Sequence, residues 1–165
     1  MAYDDRDGLH GVGGWLAFFL FGFAFVSPLG LVIGTYFSLY GDPDVAAILG
    51  GRWELYQAAV WVEVALSLAM IGYVTWRLFN RHNWLTVKIT IAAIVQVGLG
   101  LRLLDIALAV LIAEVELRIL LAQIGPDLIK GLIYAAIWIA YFLRSVRIRN
   151  TYDLSREDES AGIFD

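Results

Sequence analysis

The chain has 165 residues, of which 60% are hydrophobic, with a formal net charge of −4 and a mean hydropathy of +0.71. Soluble domains are about 45–50% apolar, and a soluble domain of this length could not bury so much apolar surface. The chain contains no cysteine, which excludes disulfides, thiolate metal sites and covalently attached haem. The small net charge gives no reason to expect a nucleic-acid partner.

The hydrophobic residues come in long blocks, and a block of roughly 18 or more predicts a transmembrane helix. Four blocks are present, at residues 15–36, 55–78, 85–113 and 128–143. Each is close to the ~20 residues that cross a ~30 Å hydrocarbon core. The sequence therefore predicts an all-α membrane domain, a bundle of four transmembrane helices within residues 1–154, and an acidic tail at 155–165 that we expect to be mobile. Three spans and one interfacial helix are the alternative, because the fourth block is the shortest.

Basic residues predict how the chain is threaded. Blocks two and three are joined by a connection at residues 77–88. If it shares one side with both termini, that side carries Arg6, Arg77, Arg81, Lys88, Arg144, Arg147, Arg149 and Arg156. The other side then carries Arg52, Arg118 and Lys130. The positive-inside rule therefore places both termini in the cytoplasm.

Glycine and proline mark the first span. The segment GVGGWL at residues 11–16 is not a phosphate-binding loop, because no strand precedes it. We expect Gly13, Gly14 and Trp15 to form a flexible turn at headgroup level that leads into the helix. Pro28, which follows Ser27, lacks a backbone N–H and predicts a kink within the span.

The stretch EVELRILLAQI at residues 114–124 predicts a short amphipathic helix between spans three and four. Glu114 and Arg118 are four residues apart and could pair on one helical face. The helix is either an extension of span three that lies in the headgroups or a docking surface for a partner. We expect Gly125 and Pro126 to end it and Asp127 to cap the next helix.

Three ionisable residues lie deep in the predicted spans: Glu63, Arg102 and Asp105. Each costs at least ~2.5–3.5 kcal/mol to insert, so such residues normally face the bundle interior and pair. We expect them to form an intramembrane charge cluster that locks span two to span three, where Gly98 and Gly100 allow close helix approach. A docking point for a charged residue of another subunit and a proton or substrate pathway are the alternatives.

Metal, cofactor and catalytic motifs are weak. His10 and His82 fall at predicted membrane edges, whereas haem or pigment ligation usually needs imidazole within a span. Asp42 and Asp44, with Glu54 nearby, could bind a divalent cation through oxygen ligands, but solvated loop residues are the simpler interpretation. The chain has no recognisable pairing of a nucleophile with a base. We therefore expect no cofactor, no metal site and no enzymatic activity.

At the C-terminal end of the last block, Arg144, Arg147 and Arg149 are placed to contact anionic lipid headgroups and to fix topology. A stop-transfer signal alone would also account for them.

The two ends of the membrane domain carry a resemblance to a known family. GVGGWLAFFLFGFAFVSPLGL at residues 11–31 and WIAYFLRSVRIRNTY at residues 138–152 resemble a bacterial membrane family catalogued as domain of unknown function 2569. Its members begin with a Gly-Gly-Trp-Leu segment and end in a Tyr-Phe-x-x-Ser-x-Arg-Val-x-x-Thr-Phe pattern. Those last positions are here Tyr141, Phe142, Ser145, Arg147, Ile148, Thr151 and Tyr152, and the acidic residue of span two is Glu63.

The resemblance implies a multi-pass protein of the bacterial inner (cytoplasmic) membrane with four spans, and it supplies no activity. Two function classes follow from the residues. The first is a noncatalytic accessory or scaffolding subunit that binds membrane lipids and other integral membrane subunits. The alternative is a small transporter or channel that uses Glu63, Arg102 and Asp105, and that would have to be a homo-oligomer because four spans enclose little volume.

Overall fold

The structure, a computed structural model, describes residues 11–41, 46–47, 49–112, 114 and 116–152. No strand occurs in these ranges. The helices are α1 (Trp15–Phe21), α2 (Ser27–Tyr40), α3 (Trp53–Asn80), α4 (Trp84–Val95), α5 (Leu101–Leu111), α6 (Leu117–Arg144) and α7 (Val146–Thr151). Two π turns, Gly22–Val26 and Gln96–Gly100, and one 3-10 turn, Gly50–Arg52, lie between these helices. The predicted tail at 155–165 lies outside the described residues.

Four stretches within those ranges are long and apolar enough to cross a membrane. They are span 1 (Trp15–Tyr40), span 2 (Gly50–Asn80), span 3 (Trp84–Leu111) and span 4 (Ile124–Arg144). The prediction of an all-α membrane protein with four spans is confirmed. Span 4 has 21 residues, which at about 1.5 Å per residue is enough for a ~30 Å core.

The predicted break between the amphipathic helix and span 4 is wrong. Helix α6 begins at Leu117 and continues through Pro126 to Arg144. A proline inside a membrane helix removes only one backbone hydrogen bond, and apolar helix-forming sequence on both sides keeps the helix continuous. Residues 117–124 of the segment predicted as a separate short helix are therefore the first turns of α6, and Asp127 lies inside the helix rather than at a cap.

The expected pairing of Glu114 with Arg118 is not formed. Its backbone has a φ of 56°, outside the helical region, so the four-residue spacing of a helix does not apply. Its carboxylate Oε1 instead lies 2.7 Å from Nη1 of Arg52, at the start of span 2.

Spans 1 and 3 each contain a π turn. In span 1 the turn at Gly22–Val26 directly precedes Ser27 and Pro28, where the sequence predicted a kink. In an α-helix, the ring of Pro28 would collide with the carbonyl four residues earlier. The wider π turn avoids that collision. The Ser27 hydroxyl donates a hydrogen bond to the Gly22 carbonyl, at 3.1 Å.

The larger core lies at one end of the bundle. Its fully buried members come from all four spans and from α7: Leu16, Phe19, Phe23, Val74, Leu78, Val87, Ile94, Phe142, Ile148 and Tyr152. Toward the other end the described residues form a smaller buried cluster, from Ile106, Ala109 and Leu120. We call the first end, with residues 11–16, 78–84 and 145–152, the closed end, and the other the open end.

Tyr152 ties the closed end together. Its ring is fully buried and stacks on His82 at 5.7 Å between ring centroids. Its hydroxyl donates to the Leu78 carbonyl at 2.9 Å, one of the last carbonyls of α3 that no helical N–H can reach. Burial, and then the nearby Tyr141, raise the pKa of Tyr152 above its ordinary value. The phenol therefore stays protonated and able to donate.

The two end motifs of the sequence also meet here. The Gly11 N–H donates to the Thr151 hydroxyl at 3.0 Å, and a Cβ on Gly13 would lie 2.5 Å from Nη1 of Arg147. Gly14, at φ 54°, adopts a backbone conformation that favours glycine. The first span, the connection between spans 2 and 3, and α7 thus share one end of the bundle, as the predicted threading requires. The cytoplasmic orientation of that end stays a prediction.

Candidate functional site

Ionisable side chains of spans 2, 3 and 4 lie at similar levels in the bundle. At 1.5 Å per residue from the closed-end terminus of each span, Glu63 lies about 25 Å, Arg102 about 27 Å and Asp105 about 31 Å along its helix. On the same scale Asp127 lies at about 25 Å and Lys130 at about 21 Å. Because the hydrocarbon core is ~30 Å thick, these five residues occupy its open-end half and boundary.

Arg102 and Asp105 form an ion pair within α5. Nη1 of Arg102 lies 3.2 Å from Oδ2 of Asp105. The side chains are 49% and 32% exposed, so the pair borders open space rather than a sealed core. Residues three apart on a helix can meet without crossing to another helix, which is why this contact forms within span 3.

Glu63 lies apart from that pair. It is 6% exposed, and its Oε2 atom has no hydrogen-bond partner among the described residues. No ion pair joins Glu63 to Arg102 in the part of the chain that the structure describes. The expected direct cluster of three is therefore not formed. The positions of these residues along their predicted spans indicated a similar depth in the membrane. They could not give the rotation of each helix about its axis.

A cavity of about 60 Å³ nevertheless brings the three predicted residues together. It lies between spans 1, 2 and 3, and we call it the Glu63 cavity. Its walls include Thr35, Val60, Glu63, Leu101, Arg102 and Asp105. Sequence reasoning missed Thr35, because a single threonine in an apolar span produces no pattern.

A second cavity, of about 310 Å³, continues from the first toward the open end. The two share Thr35, Val60, Arg102 and Asp105 as wall residues. Farther out, this open-end cavity is lined by Ser38 and Tyr56 and by four apolar side chains, Leu39, Ala109, Leu120 and Ile124. The arrangement is a small chamber that contains Glu63 and adjoins a larger cavity with both polar and apolar walls.

Span 4 carries a second ion pair that the sequence did not predict. Nζ of Lys130 lies 2.8 Å from Oδ1 of Asp127, with side chains 77% and 48% exposed. The pairing was missed because Asp127 was assigned to a helix cap, whereas the continuous α6 places the two residues one turn apart. Both residues and Arg102 line a further open cavity of about 340 Å³ beside span 4.

Spans 3 and 4 approach each other through glycine. A Cβ on Gly98 would lie 2.7 Å from the Gly131 carbonyl oxygen, and a Cβ on Gly131 would collide with the Gly98 carbonyl. The π turn at Gln96–Gly100 thus packs backbone against backbone on span 4. Gly98 lies in such a close approach, as expected, and Gly131 is the partner that the sequence reasoning did not name.

The remaining predicted residues are placed as follows. Arg144, at the end of α6, and Arg149, within α7, are exposed, and their contact with headgroups stays a prediction, while Arg147 is half-buried against Gly13. Asp42 and Asp44 lie outside the described residues. Within those residues, no group of three or more His, Cys, Asp or Glu side chains could hold a metal ion.

Comparison with known proteins gives one match. A family model described as "Protein of unknown function (DUF2569)" matches residues 9–152, the family that the two end motifs resemble. No curated protein and no solved structure matches the chain.

Proposed function

We propose, on the premise that the chain belongs to the DUF2569 family and spans a membrane four times, that it is a noncatalytic accessory subunit binding another integral membrane protein. Span 4 supports this role. In its most apolar 18-residue window 11% of residues are buried, against 22–33% in the other three spans. Span 4 therefore has the largest share of its surface free for a neighbour.

The Asp127–Lys130 ion pair is the observation that carries the proposal. It lies on the exposed face of span 4, in line with Ile133 and Ile137, which are 54% and 60% exposed. A charged side chain in the hydrocarbon core costs at least about 2.5 kcal/mol. Lipid tails cannot reduce that cost, whereas polar groups of a partner helix can. A partner docked on this face would cover the pair.

Copurification tests the accessory role. The tagged chain, produced at native levels in its own host and extracted in mild detergent, is expected to bring down one other membrane protein in stoichiometric amount. The double variant Asp127→Leu with Lys130→Met is expected to lose that protein, because the polar contact is gone. The matched control neutralises another exposed ion pair, Arg52→Gln with Glu114→Gln, and should retain it.

A chain that purifies alone, or a double variant that keeps its partner, contradicts the proposal. We further propose that the assembly lies in the bacterial inner membrane and that Arg144 and Arg149 bind anionic headgroups there. Vesicles with and without anionic lipid test the binding of Arg144 and Arg149 to anionic headgroups. Neutralising both arginines is expected to weaken binding to the anionic vesicles and to leave binding to the other vesicles unchanged.

Transport by a homo-oligomer is a second candidate. The observation that favours it is the buried Glu63 carboxylate, whose Oε2 lacks a partner among the described residues and which lines a cavity adjoining an open one. Intramembrane carboxylates commonly mark substrate or proton pathways. Flux of a substrate or of protons into proteoliposomes would support transport if Glu63→Gln abolishes it. Wild-type protein with no flux above that of empty liposomes would contradict it.

A further inference from the structure

We propose that the Glu63 cavity and the open-end cavity together form a binding site for a primary alkylammonium ion. The ammonium group would occupy the Glu63 cavity, and the alkyl chain would extend into the open-end cavity. This inference goes beyond the accessory role and shares Glu63 and its cavities with the transport candidate.

Charge is the first argument. The charged groups that line the two cavities are Glu63 from span 2 and Arg102 and Asp105 from span 3. Asp127 and Lys130 of span 4 line the neighbouring cavity, which also contacts Arg102. Arg102 is paired with Asp105, and Lys130 with Asp127. Ionised Glu63 is left without a counter-charge, and a buried unpaired charge is costly. The complementary occupant carries a single positive charge.

Hydrogen bonding is the second argument. Oε2 of Glu63 is a buried acceptor that no donor reaches within the described part of the chain. An alkylammonium group has three N–H donors and no acceptor. The Thr35 hydroxyl and the Asp105 carboxylate line the same cavity and offer further acceptors. A cation with its own donors therefore satisfies both the charge and the hydrogen bonding of Glu63.

Size and wall chemistry are the third argument. The Glu63 cavity, at about 60 Å³, equals the volume of roughly two waters at ~30 Å³ each, which suits an ammonium head and little more. The larger cavity, at about 310 Å³, is at the lower end of the ~300–1,000 Å³ range of ligand pockets. Leu39, Ala109, Leu120 and Ile124 supply the apolar part of its wall, beside the polar side chains of Ser38, Tyr56, Arg102 and Asp105. A short unbranched alkyl chain with one charged end can place its head beside Glu63 and its methylenes against those four apolar side chains.

Thermal melting of the purified chain in detergent, at fixed pH and ionic strength, tests the site. Ethylamine, butylamine and hexylamine are expected to raise the melting temperature. Each added methylene should tighten binding about threefold to fourfold, until the larger cavity is filled. Butanol and butyrate, which match butylamine in chain length but lack the cation, should have no such effect.

Glu63→Gln is expected to weaken butylamine binding at least tenfold. Glu54→Gln, at the exposed start of the same helix, is the matched control and should bind like the wild type. Thr35→Val is a second variant, expected to weaken binding without removing the buried carboxylate. An equal shift by butanol and butylamine overturns the proposal, and that comparison needs only wild-type protein. Undiminished butylamine binding by Glu63→Gln overturns it as well.

Flux and binding are separate measurements. Butylamine that binds but does not cross proteoliposomes supports the site and contradicts the transport function. Flux of another substrate by a chain that does not bind butylamine supports the transport function and contradicts the site.

Discussion

Tyr152 is the residue at which the closed end depends on a single side chain. Its hydroxyl satisfies the Leu78 carbonyl, which the end of α3 leaves without a helical donor. Replacing it by Phe keeps the buried ring and removes only the donor. The sequence placed Tyr152 in a motif of the family but could not give this contact, because Leu78 lies 74 residues away.

Tyr152→Phe is expected to lower the free energy of unfolding by about 1–3 kcal/mol, because it leaves a buried acceptor unsatisfied. Thermal melting in detergent measures this, with Tyr36→Phe, at an exposed tyrosine, as the control. A change no larger than that of the control would show that water replaces the hydroxyl.

The same residue predicts an alkaline limit of stability. Because burial raises the pKa of Tyr152, the folded chain holds the phenolic proton at pH values where the unfolded chain, with a pKa of about 10, has lost it. The contribution is complete below about pH 10 and is lost as pH rises above it. Between about pH 9 and pH 11, the wild type should lose more stability than Tyr152→Phe. Parallel pH profiles would contradict the assignment.

At the scale of elements, hydrophobic block length was enough to predict the four spans, because a lipid core imposes a minimum length on any helix. It did not give the π turns or the continuity of α6 through Pro126. Those features depend on neighbouring helices that satisfy or exclude local backbone groups, which a single sequence does not show. The charge cluster was predicted at the right level and with the wrong contacts for the same reason.

The contact between spans 3 and 4 is expected to tolerate no side chain at Gly131. Gly131→Ala places a Cβ against the Gly98 carbonyl, and such overpacking costs about 1–3 kcal/mol. Gly72→Ala, in span 2 with nothing within 4 Å of the added Cβ, is the matched control. Melting of Gly131→Ala at the temperature of the control would show that the two helices do not approach this closely.

Docking of α7 on the start of span 1 makes a local prediction. Gly13→Ala would displace the Arg147 guanidinium, so trypsin should cleave after Arg147 and Arg149 faster than in the wild type. Gly30→Ala, where an added Cβ meets nothing within 4 Å, should leave the cleavage rate unchanged. Mass spectrometry of the fragments measures both rates. Equal rates in the two variants would mean that α7 does not depend on Gly13.

At the scale of the whole molecule, the bundle has one packed end and one end with cavities. The aromatic and aliphatic core unites all four spans and α7 at the closed end, whereas the ionisable residues and cavities lie toward the open end. A packed closed end and an open end with polar residues and cavities are consistent with the proposed binding of a ligand or partner from one side. Composition alone predicted the membrane class, but not this polarity of packing.

The most direct test of the account is the sidedness of the closed end. Since the chain has no cysteine, single cysteines at Arg81, Arg149, Glu54 and Arg118 can be labelled in intact cells with a maleimide that does not cross the membrane. Positions 54 and 118 are expected to be labelled in intact cells, and positions 81 and 149 only after permeabilisation. Labelling of positions 81 and 149 from opposite sides of the membrane would contradict the fold and the site built on it.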